Sequence, residues 1–280
     1  MKKPVFRKTA IAVVAAIGSL LLIAGSRKTI TIKGSDTLVI LAQRWAEIYM
    51  KKHPDVVIQV TGGGSGTGIS ALINGTTDFA NASRPMKSRE HDKLQKKYGT
   101  PGNEITVAKD GITIYINAKN PVDELSLAQL KSMYLAEVTN WKDVGGNDAP
   151  IILYGRENNS GTFVYFQEHV LAKNDYASSM QSLPGTAALV NAVVKDVNGI
   201  GYGGVAYAEG IKVVRVKKDA DSKACAATLT TVKSGEYPIS RSLYMYSRAQ
   251  PKGYRKEYID FILSAEGQKV VGEVGYFPIR

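Results

Sequence analysis

Cysteine is almost absent: Cys225 is the single one in 280 residues, so no intramolecular disulfide can hold the fold. None is required, because a chain of about 250 residues buries enough surface to fold unaided. The three histidines, His53, His91 and His169, form no H-E-x-x-H pair and stand beside no cysteine pair, which argues against a metal site. No G-x-x-x-x-G-K-[ST] segment occurs, so P-loop nucleotide binding is not expected. The G-x-S-x-G elbow of hydrolases fails at Ser65, where Thr67 takes the last glycine position, and at Ser160, flanked by Asn158 and Thr162. His169, in a helix behind Ser160, leaves a weak case for a base, and no catalytic residue is assigned. Fixed-period repeats, low-complexity tracts and a Pro/Gly/Ser linker are missing too. Thirty-six basic against 25 acidic residues give +11, yet the basic residues form no run, so nucleic acid is not an expected partner. With 44% apolar and 22% charged residues the chain is neither collagenous, coiled-coil nor disordered, and its length suits two linked domains.

What is present begins with a targeting segment. Lys2, Lys3, Arg7 and Lys8 precede an apolar stretch over 10–24 broken only by Gly18 and Ser19, and small residues follow. That order predicts a signal peptide over 1–26, cut after Ser26, and the stretch is short of the roughly 20 apolar residues of a membrane-spanning helix. Leu22-Ile23-Ala24-Gly25 resembles a lipobox, but Ser26 stands where its cysteine would be, so a lipid anchor is not supported. Removing 1–26 takes four basic residues and no acid, which lowers +11 to +7.

A local unit recurs three times along the remaining chain: strand, Gly/Ser/Thr corner, helix. Residues 29–33 alternate and are β-branched, and they run through Gly34, Ser35, Asp36 and Thr37 into a helix whose Leu38, Leu41, Ala42, Trp45, Ile48 and Tyr49 make one face. Pro54 ends that helix. A strand over 56–60 leads through the glycine-rich 61–68 into a short helix over 69–74, and a strand over 151–154 leads through 155–162 into a helix over 163–171. Further on, 111–117 reads as a strand leaving the first lobe, Ser126 and Gln129 as a capping box, 187–197 as a helix, and 201–207 with 212–216 as the return path. Residues 254–271 read as a terminal helix weakened by Gly267. This is an α/β chain with mainly parallel pairing, and the first and third units belong to different lobes facing one cleft.

A helix amino terminus offers free backbone N–H groups and a partial positive charge, glycine admits close backbone approach, and Ser and Thr add hydroxyl donors. If Ser35-Asp36-Thr37, Ser65-Gly66-Thr67 and Ser160-Gly161-Thr162 converge, they enclose a tetrahedral oxyanion. Arg84 and Arg156 would add fork-shaped donors. Each piece has a plainer reading: the hydroxyls as ordinary helix caps, the glycines as a loop, the arginines as solvated or paired with acids such as Glu157.

Gly34-Ser35-Asp36-Thr37-Leu38, the 62–68 run, Ala82-Ser83-Arg84, Asn140-Trp141, Arg156 with Ser160-Gly161-Thr162, Gly199-Ile200-Gly201-Tyr202 and Tyr237-Pro238-Ile239-Ser240-Arg241 together resemble the phosphate-binding proteins of bacterial ABC phosphate uptake systems. The likeness runs in order from about residue 29 to the carboxy terminus. It implies a type II periplasmic-binding-protein fold: two α/β lobes joined by two crossover strands, with the ligand cleft between them. The lobes are expected over 27–112 plus 212–280 and over 113–211. It also implies that the backbone of Thr37 and Leu38, with Ser65, Arg156, Ser160, Gly161 and Thr162, contacts phosphate, and that Ser35, Asp36, Ser83 and Arg84 adjoin it. The implied protein is a monomeric, extracytoplasmic, cofactor-free receptor that hands phosphate to a membrane ABC permease.

The sequence departs from that family at two places. Many members carry Asp where Arg84 stands, accepting the ligand's proton, and a second common Asp is here Asn158. An acceptor carboxylate is what separates protonated phosphate from sulfate. Asp36 is the expected replacement. Sulfate, molybdate or an organic phosphate stays open as the ligand, and a secreted phosphatase using Ser65 or Ser160 is the enzymatic alternative.

Overall fold

The computed structural model describes residues 27–279; the expected signal peptide and its lipobox-like end lie outside them. β1 (Lys28–Gly34) leads through a 3-10 turn into α1 (Val39–Lys52), and β2 (Val56–Thr61) returns parallel to β1. On α1 the residues Leu41, Ala42, Trp45 and Tyr49 are buried, which is the apolar stripe that helical spacing dictates. α2 (Ser65–Asn74) starts four residues before its apolar pattern does, because its first turn is made of Ser, Gly and Thr. Next come β3 (Phe79–Ala82), α3 (Ser88–Tyr98) and the long β4 (Asn103–Ile116).

The second half is built from β5 (Glu124–Ser126), α4 (Leu127–Tyr134), β6 (Ile152–Arg156), α5 (Gly161–His169), β7 (Gln181–Leu183), α6 (Gly185–Lys195), β8 (Gly199–Gly204), β9 (Lys212–Lys217) and α7 (Leu229–Ser234). The capping box of α4 forms as expected: Gln129 N–H donates to Ser126 Oγ at 3.1 Å and Ser126 N–H to Gln129 Oε1 at 2.8 Å. β10 (Ser240–Ser247) returns the chain to the first half, which closes with α8 (Tyr254–Leu263) and α9 (Ala265–Val274). The single terminal helix expected over 254–271 is therefore two helices. The break falls at Ser264, whose Oγ accepts from Gly267 N–H and caps α9.

The strand order in the first lobe is β2-β1-β3-β10-β4. β4 pairs with β10 as far as Gly111; it pairs with β8 on one side from Ile112 and with β9 on the other from Ile114. It thus belongs to both lobes. Pairing is parallel for β1 with β2 and β3, β6 with β7 and β8, and β5 with β9. It is antiparallel wherever β4 or β10 takes part, so the expectation of mainly parallel pairing holds inside each lobe and fails at the crossovers.

Two main cores follow this division. One packs Ile30, Ile32, Leu41, Trp45, Leu243 and Tyr258; the other packs Ile114, Leu130, Trp141, Phe166, Tyr202 and Val214. The sequence division sets 212–280 in the first lobe. β9 and Val232, Tyr237 and Ile239 pack instead in the second core, because β9 pairs with the far half of β4 and with β5. The chain re-enters the first lobe at β10.

Candidate functional site

Parallel α/β sheets put ligands beyond the carboxyl ends of their strands, where chain direction leaves a crevice. Here β1 ends just before Ser35, β2 just before the glycine run, β3 just before Ser83, and β6 at Arg156, four residues before Ser160. These four ends meet between the lobes. Ser35 Oγ donates to Ser83 Oγ at 2.9 Å, Ser65 Oγ lies 3.3 Å from Ser83 Oγ and accepts from Ser83 N–H at 3.0 Å, and Thr37 Oγ1 lies 3.1 Å from Thr162 Oγ1 across the lobes. Ser35, Thr37, Ser65, Ser83, Arg156, Ser160 and Thr162 are all buried.

α5 opens at this cluster. Ser160 caps it, its Oγ accepting from the N–H groups of Thr162 and Phe163 at 3.2 and 3.4 Å. A side chain at Gly161 would put Cβ 2.4 Å from Ser65 Oγ and 2.6 Å from Ser83 Oγ, so only glycine lets the two lobes come this close. His169 sits at the other end of the helix, its ring tilted against Tyr165, and does not serve Ser160 as a base.

Arg156 lies in this buried cluster. Its guanidinium donates to Asp36 Oδ2 of the opposite lobe at 2.6 Å and to Thr186 Oγ1 at 2.9 Å. Its acid is therefore Asp36 and not the neighbouring Glu157. Asp36 Oδ1 accepts from Gly63 N–H at 2.8 Å, so the carboxylate ties Arg156 to the glycine run. Arg156 Nε is buried with no hydrogen-bond partner among the described residues, a costly state for a donor that an anion would relieve. Leu38 N–H donates to Ser35 O at 3.1 Å, closing the 3-10 turn, so the amide expected to face a ligand is engaged within its own corner.

Both terminal nitrogens of Arg84 are engaged, while its Nε is buried with no hydrogen-bond partner among the described residues. Its guanidinium forms a two-pronged ion pair with Glu90 of α3, both bonds 2.8 Å, and donates to Pro85 O. Glu90 caps α3 through Lys87 N–H at 2.7 Å, so the terminal nitrogens of Arg84 fix the helix that follows it. Burial pushes the Glu90 carboxyl up, but the bonds from Arg84 and Lys87 N–H outweigh it and hold the group below the usual carboxylate range.

The sequence left several residues without a role. Arg241, in a resembling segment, lies on β10 directly across from Asp110 of β4 and bonds it through Nε at 3.0 Å and a terminal nitrogen at 2.8 Å. It also donates to Ser83 O at 3.0 Å, Thr162 Oγ1 at 3.0 Å and Thr37 Oγ1 at 3.4 Å. Burial pushes the Asp110 carboxyl up, against the pull of Arg241. Asn159 seats in the glycine run of the other lobe: its carbonyl accepts from Gly66 N–H at 2.9 Å, and its amide donates to Gly63 O and Thr67 Oγ1 at 3.2 and 3.3 Å. Tyr207 donates to Asp36 O at 2.6 Å; burial first, and the charge of Asp36 next, push its hydroxyl up to about 12. Among the described residues no group of three His, Cys, Asp or Glu could hold a metal, and no helix is long and apolar enough to cross a membrane.

Residues 23–266 match the profile of the PBP superfamily domain. The chain is 34% identical over 263 residues to the phosphate-binding protein PstS of Pseudomonas aeruginosa, covering 88% of this chain and 81% of that one. It is likewise 34% identical to PstS of Staphylococcus epidermidis, over 87% of this chain and 77% of that one. Among solved structures, a candidate phosphate ABC transporter substrate-binding protein from Clostridium perfringens with bound phosphate superposes with a TM-score of 0.82 at 32% identity, over 90% of this chain and all of that one. An ABC-type phosphate transport receptor from Vibrio cholerae gives 0.71 at 28%, over 89% and 99%. The chain belongs to the PBP superfamily and, within it, to the phosphate-binding proteins of the PstS family.

Proposed function

We propose that this chain is a periplasmic or cell-surface receptor that captures inorganic phosphate between its lobes and delivers it to a membrane ABC transporter. It binds and does not turn over its ligand. The observation that carries the reading is the convergence of Ser35, Ser65, Ser83, Arg156 and the amino terminus of α5 from two lobes into one buried donor cluster. Such a cluster desolvates an anion among preformed donors. Only contacts made from both lobes favour the closed state, so closure and binding are linked.

In this reading Arg156, Ser65, Ser83, Ser160, Gly161 and Thr162 hold the phosphate oxygens, with Ser35 and Thr37 beside them. Asp36 receives the proton of the phosphate and keeps Arg156 in place. The receptor acts as a monomer and is exported by its amino-terminal 26 residues. Calorimetric titration with phosphate and then with sulfate tests the reading: one site per chain with preference for phosphate is expected, and absence of phosphate binding overturns it. A second reading keeps the fold and admits sulfate. It is favoured by one observation, that Arg84 stands at the family's acceptor position and is held by Glu90, leaving Asp36 as the one carboxylate bonded to Arg156 among the described residues. Equal affinity for the two anions would select it.

A further inference from the structure

α3 carries charge that the fold leaves unbalanced. Residues 84–97 hold six basic and two acidic side chains, so +4 of the +7 expected for the exported chain sits on this one segment. Arg84 and Glu90 cancel each other in their buried pair. Lys87, Arg89, Lys93, Lys96 and Lys97 remain, with Asp92, and among the described residues none of them has an opposite charge within ion-pair distance. Other surface helices neutralise their own basic residues: Arg44 and Lys51 pair with Glu47 on α1, and Lys256 with Asp260 on α8.

These charges make no run in the sequence because they are spaced for a helix. Leu94 faces the interior, while Arg89, Lys93 and Lys96, at i, i+4 and i+7, form one exposed stripe. Lys97 extends it toward β10: its Nζ and the guanidinium carbon of Arg248 lie 5.5 and 5.7 Å from the centroid of the Tyr98 ring. Arg248 in turn lines a surface hollow with the exposed Lys252.

Helix stability does not call for this pattern. Lys96 and Lys97 suit the negative end of the helix dipole, but Arg89 stands in the first turn and opposes it. Arg89 with Lys93, and Lys93 with Lys97, are like-charge i, i+4 pairs, which weaken a helix. Charge that the helix itself disfavours points to an anionic partner outside the chain.

The kind of partner follows from what the stripe omits. Its exposed positions over 88–97 are Ser, Arg, Asp, Lys and Gln, with no apolar or aromatic side chain. A protein interface centres on buried aromatic anchors and is poor in lysine, and single-stranded nucleic acid stacks its bases on rings. Forked phosphate recognition favours arginine, whereas this stripe is mostly lysine. A fluid lipid surface needs none of these, since its headgroups move to meet the charges.

We propose that the exposed face of α3 is a docking surface for an anionic lipid bilayer, holding the exported protein against the membrane by charge. The stripe starts near the ligand cluster, because Arg84 directly follows Ser83 and grips Glu90 in the first turn of α3. In the transport reading, a receptor held this way reaches its permease along the membrane surface. The lipid contact itself does not depend on phosphate.

The exported chain, residues 27–280, which includes both cores, is sedimented with vesicles of equal parts phosphatidylglycerol and phosphatidylcholine, and with vesicles of phosphatidylcholine alone. Binding to the anionic vesicles that weakens as salt rises is expected, with none to the neutral ones. Each basic residue near such a surface is worth about fivefold in affinity, so Arg89→Gln/Lys93→Gln/Lys96→Gln should lose about a hundredfold. Those three side chains are exposed and make no hydrogen bond among the described residues, so Tm should not change. Lys218→Gln/Lys223→Gln/Lys233→Gln removes the same charge from exposed positions of the second lobe and should bind vesicles as the parent does. Equal losses in the two variants would assign binding to net charge and overturn the inference, as would a parent that ignores anionic vesicles or sediments with both kinds alike. Duplex DNA that strips the parent from the vesicles at equal charge would give the stripe to nucleic acid and overturn it too. A phosphate titration run alongside reads the functional proposal separately.

Discussion

Replacing Arg156 with alanine is the perturbation whose size the structure constrains best. The side chain is 2% exposed and donates to Asp36 in the opposite lobe and to Thr186 in its own. Asp36, 17% exposed at its side chain, keeps the Gly63 amide and can rehydrate when its partner goes, so the unliganded protein should lose only about 1–2 kcal/mol. For a chain of this size that is a fall in Tm of about 2–8 °C. Ligand binding should suffer more. The unpartnered Nε and the terminal nitrogens are the charged donors of the cluster, and one charge-assisted bond is worth about 1.5–3 kcal/mol. The expected loss in phosphate affinity is thus between about tenfold and about a hundredfold, or about 1.4–2.8 kcal/mol. Calorimetry near room temperature gives the affinity, and thermal unfolding without phosphate reports the folded fraction. A variant that unfolds earlier as described yet binds phosphate within about twofold of the parent would refute the reasoning.

Asp36→Asn should lower the phosphate-to-sulfate affinity ratio, because an amide accepts the ligand's proton less well and no longer repels a proton-free anion; competition titration with an unchanged ratio denies Asp36 the acceptor role. Gly64→Ala should weaken phosphate binding about tenfold without touching the ligand, since its φ of 86° disfavours a side chain and its Cβ would lie 2.7 Å from Asn159 O of the other lobe. Small-angle scattering that shows normal phosphate-induced compaction in that variant would contradict the account of closure. Glu90 has its pKa held down in the folded state, so its contribution is present above the unfolded value and is lost as pH falls through the folded one. Glu90→Gln should therefore flatten the decline of Tm on acidification below about pH 5, and an equal slope in parent and variant would show that Arg84 does not hold this carboxylate.

The corners were legible because strand-to-helix junctions carry local chemistry: β-branched alternation, then Gly, Ser and Thr, then helical spacing. β3 was not. Its four residues, Phe79 to Ala82, are buried on both faces, so no alternation marks them, and Ser83 was reached through resemblance alone. β10 carries a signal in its sequence. Arg241 shares its face with Leu243 and Met245, and a charge in an apolar row demands a partner. Which partner depends on the register of β10 against β4, a tertiary fact that no local pattern contains. Arg84 illustrates the reverse. Its acid lies six residues on, at Glu90, within reach of a local reading, yet residue type alone pointed to an anion. The glycine run was read as room for a ligand, whereas Gly64 and Gly66 receive Asn159, so part of that run serves closure.

A crystal structure grown with phosphate tests the central claim most directly. The account predicts one tetrahedral ion per chain, between the lobes, within hydrogen-bond distance of Ser65, Ser83, Arg156 and the N–H groups that open α5. Phosphate lodged elsewhere, in a protein that titrates as a one-site binder, would contradict it.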